Sequence, residues 1–260
     1  MQICRYTTRA DETPRYGFIE GALIYPLAKN ETFRVPFAPP EAGPPIARAE
    51  ATLGAPVAPS KIVCVGRNYK EHAAELGNEM PGEPLLFLKA PSALVGPGES
   101  IRLPAASARV EHEGELGVVI GRRARLLTDA DNPLDYVLGY TCLNDVTARD
   151  LQRKDVQFTR GKSFDTFCPV GPHIETDLDP RDLAVTTRVN GQVRQHARTS
   201  AMAFSVPFLI RYIAAVMTLE PGDLIATGTP AGVGPLAAGD TCEVEVEGVG
   251  VLRNPVRAAV

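Results

Sequence analysis

The sequence predicts an α+β protein rich in β structure, and three observations carry that expectation. Strand-like windows outnumber helical ones, with Leu116–Ile120, Tyr136–Leu143 and the strictly alternating Thr241–Glu247 the clearest. Two hairpin signals stand out: Gly21-Ala22 between Tyr16–Glu20 and Leu23–Leu27, and Asn190-Gly191 within Thr186–Arg194. Only Ser205–Met217 has a long apolar stripe at helical spacing, through Val206, Leu209, Ile210, Ile213, Val216 and Met217. A chain of 260 residues can bury a substantial core. Proline-rich stretches at 36–45 and 55–60 place a boundary near residue 58. The expected division is a small β-domain over residues 1–58 and a larger domain over 59–260.

Composition narrows the function classes. The formal net charge of −4, without a Lys/Arg block, gives no footing for nucleic acid. No apolar run approaches the ~18 residues that cross a bilayer, and Met1–Tyr6 lacks the layout of a secretory signal. The cysteines at 4, 64, 142, 168 and 242 are odd in number and scattered, as expected of buried reduced thiols in a cytoplasmic protein.

Along the chain, Lys61–Val65 reads as a strand. In the short helix that follows, Asn68 is expected as N-cap, Glu71 as the capping-box partner and Gly77 as the C′ residue. His72 and Glu75 lie three apart on one face of that helix. Such a pair is commonly a surface contact; it is also how a carboxylate orients a base that deprotonates water. The glycines and prolines of 77–84 make the helix a candidate lid. Pro84–Pro91 reads as a strand and Val95–Gly98 as a turn. Tyr136–Leu143 ends at Asn144-Asp145, beyond which a helix carries Arg149, Asp150 and Gln152, with Asp150 and Lys154 spaced as a surface pair. Gly161-Lys162-Ser163 is not a nucleotide loop, since the glycine required at position 156 is Val. Ser205 is the expected N-cap of the long helix. Leu224–Pro235 runs from strand into a glycine-rich loop whose N–H groups and Thr229 hydroxyl suit an anion.

The stretch with most chemical content is Arg109–Gly121. Alternation puts Glu111, Glu113 and Glu115 on one face and His112 on the other. Two carboxylates ~4 Å apart repel by roughly 4 kcal/mol at an effective dielectric of 20. Something positive must therefore sit among them, or they must face water. With Asp145 thirty residues on and no cysteine in the set, the oxygen-only donors suit a hard dication such as Mg²⁺ or Mn²⁺.

Five ordered segments between residues 60 and 255 resemble the fumarylacetoacetate hydrolase family. They are Val65-Gly-Arg67-Asn-Tyr with His72 and Glu75; Glu113-Gly-Glu115-Leu-Gly-Val-Val-Ile-Gly; Asn144-Asp145-Val-Thr-Ala-Arg-Asp150; Gly161-Lys162-Ser-Phe; and Ala226-Thr-Gly-Thr229-Pro-Ala-Gly-Val-Gly. The first 58 residues resemble the small β-domain that precedes the catalytic domain in some bacterial members. The resemblance implies the family's mixed β-sandwich and β-roll catalytic fold, with Glu113, Glu115 and Asp145 as ligands of Mg²⁺ or Mn²⁺. It implies Lys162 as the lysine that steadies an enolate, His72 and Glu75 as the dyad on the lid, and Arg67, Gln152 and Thr229 as substrate contacts. Glu111 is not expected to bind metal. Where fumarylacetoacetase proper has a further Asp ligand, this chain has Val65, which points to the smaller acylpyruvate, oxaloacetate or hydroxymuconate-type members. The implied activity is C–C hydrolysis of an acylpyruvate-like acid or isomerisation of 2-hydroxyhepta-2,4-diene-1,7-dioate, in aromatic or keto-acid catabolism. Oxaloacetate-type decarboxylation and keto–enol tautomerisation share the enolate and remain alternatives. A non-catalytic metal or keto-acid binding protein is the alternative of another class. A homodimer with a small 2-oxo acid as its only other partner completes the expectation.

Overall fold

The computed structural model describes residues 1–27, 33 and 43–258. Strands dominate it, interrupted by helices α1 (Lys70–Glu75), α2 (Arg149–Lys154), α3 (Thr159–Lys162) and α4 (Val206–Val216), so the β-rich α+β expectation is met.

One large sheet runs through the molecule. Its strands, in order, are Ile46–Ala47, Leu23–Pro26, Arg15–Glu20, Gln2–Thr8, Cys168–Glu175, Val137–Asn144, Gly114–Ile120, Leu224–Ala226, Ile62–Gly66 and Leu85–Lys89. The strands of residues 2–54 join the rest through Gln2 and Ile3, opposite Glu175 and Ile174. A second, five-stranded sheet orders Gln192–Arg198, Ala184–Val189, Thr241–Val246, Gly250–Ala258 and Ile101–Leu103. It packs across the Gly114–Ile120 and Val137–Asn144 strands.

Both faces of the large sheet are covered around its middle strands, which explains why Gly114–Ile120 is buried at every position. Alternation sends Leu116, Val118 and Ile120 into a core shared with Val185, Val244 and α4, while Val119 joins Ile62, Cys64 and Leu224 on the other side. The apolar stripe of α4 buries Val206, Leu209, Ile210 and Ile213, each worth roughly 1.5–3 kcal/mol. Val216 is not part of it. It stands 65% exposed, because the helix ends there and the chain turns away. Both hairpins form as expected. At Asn190-Gly191 both residues have positive φ, 52° and 77°, as a two-residue turn between twisted strands requires. All five cysteines are buried free thiols. The proline-rich stretch lies outside the described residues up to position 42.

Three local expectations fail, two of them because tertiary partners outbid neighbours in sequence. Asn68 does not cap α1; Tyr69 holds that position without a side-chain bond. The Asn68 amide instead donates to the carbonyls of Phe204 and Thr227 and accepts from the Phe204 N–H. Asp150 takes the Ser107 hydroxyl (2.6 Å) and the Ala108 N–H rather than Lys154. Ser205 precedes α4 without a side-chain cap. Gly77, by contrast, follows α1 at φ 69° and sends its N–H to Ala74, the close expected of a helix ending in glycine.

Candidate active site

A short three-stranded sheet of Thr147–Ala148, Val110–His112 and Gly234–Pro235 gathers the chemically loaded segments where the Val137–Asn144 strand ends and the Gly114–Ile120 strand begins. The strand carrying the glutamates breaks at Glu113 and resumes at Gly114. Across it, the Val137–Asn144 strand ends just before Asp145. Glu113, Glu115 and Asp145 thereby each present an oxygen within 4.8 Å of the others, all three buried.

The positive charge that such a cluster demands is present. Arg149 donates through Nε to Glu111 (2.7 Å) and through Nη2 to Glu113. Lys162 donates to Glu113 and to Asp145, both at 2.7 Å. Lys89 donates to the other oxygen of Asp145 at 2.6 Å and to the Val146 carbonyl at 3.1 Å. The sequence anticipated the charge and, through the family resemblance, Lys162, but neither Arg149 nor Lys89 as its bearer. On local evidence Lys162 reads as an ordinary surface lysine, yet it is 2% exposed, with its ammonium 5.0 Å above the Phe87 ring.

Electrostatics divide the carboxylates. Burial pushes Glu113 up, but Lys162 and Arg149 overcome it and hold its carboxyl below the ordinary range. Glu115 goes the other way: burial, then the charges of Asp145 and Glu113, raise it well above 4.5. Its hydrogen-bond donor in the structure is the Gly228 N–H, at 2.7 Å. The donor set consists of three oxygens, one of them on a carboxylate short of positive charge. A hard divalent cation fits that set, and thiolate-seeking metals do not.

Eight of the nine sequence-derived site residues line one cavity of about 240 Å³: Arg67, His72, Glu113, Glu115, Asp145, Gln152, Lys162 and Thr229. The ninth, Glu75, stands behind His72, with Oε2 3.3 Å from His72 Nδ1. Glu75 also receives the Gly232 N–H at 3.1 Å, which ties α1 to the glycine-rich loop. Gln152 faces the cavity with its oxygen bonded to Arg149 Nη1 at 2.6 Å. Arg67 sits at φ 56°, a left-handed backbone uncommon for a side chain of that size. Phe87 and Phe158, edge to face at 5.5 Å, form part of the apolar wall. Among the described residues, no helix is long and apolar enough to cross a membrane.

Comparison with known proteins agrees with this geometry. Residues 61–257 match the family description "Fumarylacetoacetate (FAA) hydrolase C-terminal". The crystal structure of 5-carboxymethyl-2-hydroxymuconate delta-isomerase from Mycobacterium smegmatis superposes with a TM-score of 0.91 at 44% identity, covering 100% of both chains. That of 2-hydroxyhepta-2,4-diene-1,7-dioate isomerase from Mycobacterium marinum gives 0.90 at 46% identity, covering 99% of this chain and 98% of that one. An oxaloacetate tautomerase of Bacillus subtilis is 43% identical over 223 residues, 80% of this chain and 74% of the relative.

Proposed function

The chain belongs to the fumarylacetoacetate hydrolase family and is an enzyme of it, and from that premise we propose a divalent-metal-dependent isomerase or tautomerase of 2-oxo and 2-hydroxy-dienoic dicarboxylates. One observation carries the reading. Glu113, Glu115 and Asp145 converge within 4.8 Å beside the Lys162 ammonium, in the cavity that His72 also faces. Mg²⁺ or Mn²⁺ would be held by those three carboxylates. When bound, such an ion acts as a Lewis acid toward a 2-oxo acid, stabilising negative charge on its oxygen.

The protein groups supply the rest. Lys162 sets a second positive charge where an enolate would form, in a cavity walled in part by Leu85, Phe87 and Phe158. Glu75, fixed by the Gly232 N–H, holds the Nδ1 side of the His72 ring. Nε2 is then the nitrogen that accepts a proton from a carbon of the bound acid and returns it to another carbon in isomerisation, or to the enol oxygen in tautomerisation. Arg67, Gln152 and Thr229 orient the anionic ends of the substrate. The same dyad favours a second reading, because a base held by a carboxylate can also activate water for C–C cleavage of an acylpyruvate-like acid. We extend the proposal to a homodimer in a reducing compartment, which sedimentation and fractionation would check.

The test is a small panel of oxaloacetate, 2-hydroxyhepta-2,4-diene-1,7-dioate and an acylpyruvate, each followed by its enol ultraviolet band with Mg²⁺ and with EDTA. Pyruvate and CO₂ are assayed separately. Band loss that needs Mg²⁺ and releases neither product supports isomerisation or tautomerisation; release of pyruvate with an acid moves the assignment to hydrolysis. Rates indifferent to EDTA on every substrate would remove the metal from the account.

A further inference from the structure

The break in the carboxylate strand raises an accounting question, because a buried backbone N–H needs a partner and the ladder is interrupted there. Side chains supply the partners. Asn144 Oδ1 accepts from the Glu113 N–H at 2.9 Å. The next amide, Gly114, is served from the second sheet, where Gln195 Oε1 accepts its N–H at 3.0 Å.

Gln195 is 1% exposed and uses both ends of its amide. Oε1 also faces His112 Nδ1 at 3.0 Å. Nε2 donates to Thr229 Oγ1 and to the Pro230 carbonyl, both at 2.7 Å. Thr229 in turn donates its hydroxyl proton to the Gly114 carbonyl at 2.9 Å. Gln195, Thr229 and Gly114 thus close a ring of hydrogen bonds. It fixes the backbone of the single residue between Glu113 and Glu115 and, at the same time, the loop whose Gly232 amide holds Glu75.

We propose that Gln195 is a positioning residue of this site, setting the spread of the two glutamates and the seat of the Thr229 loop from outside the cavity. The proposal rests on the metal reading only in one arm of its test. Polarity makes it specific: carbonyl oxygen must face N–H donors and the NH₂ must face oxygens, so neither an apolar nor an acidic isostere can replace it. Thr229 acquires a corollary. Its one hydroxyl proton is committed to Gly114, so the hydroxyl cannot donate to a substrate carboxylate, and the anion contact expected of Thr229 falls to its backbone N–H.

The test compares Q195M, Q195E and T229V with V193A, an exposed site on the same strand. Amide hydrogen exchange is read in EDTA, and Mn²⁺ binding by calorimetry. Q195M and Q195E should lower protection of the Gly114 amide and of residues 229–232 by at least about tenfold. They should weaken Mn²⁺ by about 10–100-fold, the usual effect of losing a group that orients a ligand. V193A should move neither. T229V, which deletes only the hydroxyl, gives the same readout at Gly114 should the Gln195 variants not fold. Exchange at Gly114 unchanged within about twofold in a folded Q195M or in T229V overturns the proposal. Wild-type protein that takes up no Mn²⁺ defeats the metal reading instead, while the exchange arm still decides Gln195.

Discussion

Replacing Glu115 with glutamine should stabilise the protein in chelator and abolish its response to magnesium. Four buried carboxylates, Glu111, Glu113, Glu115 and Asp145, face three buried cations, Lys89, Arg149 and Lys162. The cations contact the other three carboxylates, and Glu115 keeps only a backbone N–H. Burial first, then Asp145 and Glu113, raise its carboxyl well above 4.5. The folded state therefore holds that proton more tightly than the unfolded chain does. Stability is complete below pH 4.5 and is lost as pH rises toward the folded value. At ~1.4 kcal/mol for each pH unit above 4.5, the loss at pH 7 is capped at about 3.5 kcal/mol. Glutamine keeps an oxygen for Gly228 and carries no charge. In EDTA, E115Q should match wild type at pH 4.5 and exceed it by up to about 3.5 kcal/mol at pH 7. Magnesium at about a hundred times its Kd should add ~2.7 kcal/mol to wild type and nothing to the variant. Urea unfolding between pH 4.5 and 8, with EDTA and with Mg²⁺, measures both. An E115Q protein less stable than wild type at pH 7 in EDTA, or one that gains equally from Mg²⁺, would refute the reasoning.

Other outcomes follow from the same structure. H72Q should lower turnover by about 10²–10⁴-fold while leaving calorimetric Mn²⁺ affinity unchanged; a matching loss of both would remove the base from His72. A Cβ at Gly114 would lie 1.9 Å from Thr187 Oγ1, so G114A should cost ~1–3 kcal/mol in denaturant unfolding. Adding T187A should recover most of that, and no recovery would place the clash elsewhere. His173 is buried with neither ring nitrogen partnered among the described residues, and burial pulls it from 6.5 to about 4. Its folded state refuses the proton, so stability present above pH 6.5 is lost as pH falls toward 4, by about 3 kcal/mol. H173L should flatten that part of the acid limb in guanidinium unfolding at pH 4.5 and 7, and an unchanged slope would assign the loss to other groups.

The parts of the site legible in sequence were those whose chemistry is local. Glu113 and Glu115 announce themselves by spacing, His72 and Glu75 by one helical turn, and Asn190-Gly191 by a turn that few other pairs can make. The need for positive charge among the glutamates was also legible, from Coulomb repulsion alone. Of its bearers, Lys162 came through the family resemblance; Arg149 and Lys89 were not identified. Arg149 stood inside a quoted motif and was the nearest signal. Lys89 ends an apolar strand window, and nothing local shows that Asp145 waits 2.6 Å beyond it. Gln195 sits on the second strand of a hairpin in the other sheet, 81 residues from the amide it serves. Asn68 and Asp150 were misread because a capping pattern and an i,i+4 pattern score only neighbours. Each found a partner across the fold that satisfied more of its hydrogen-bonding capacity.

The buried thiols give the molecule five clocks. Cys4 reports on the N-terminal strand, Cys64, Cys142 and Cys168 on three strands of the large sheet, and Cys242 on the second sheet. Burial pushes each of these groups well above the ordinary thiol range, so an alkylating reagent meets an inert sulfur until the surrounding strand opens. The order in which the five react is the order in which those strands part, readable by peptide mass from the group each sulfur gains.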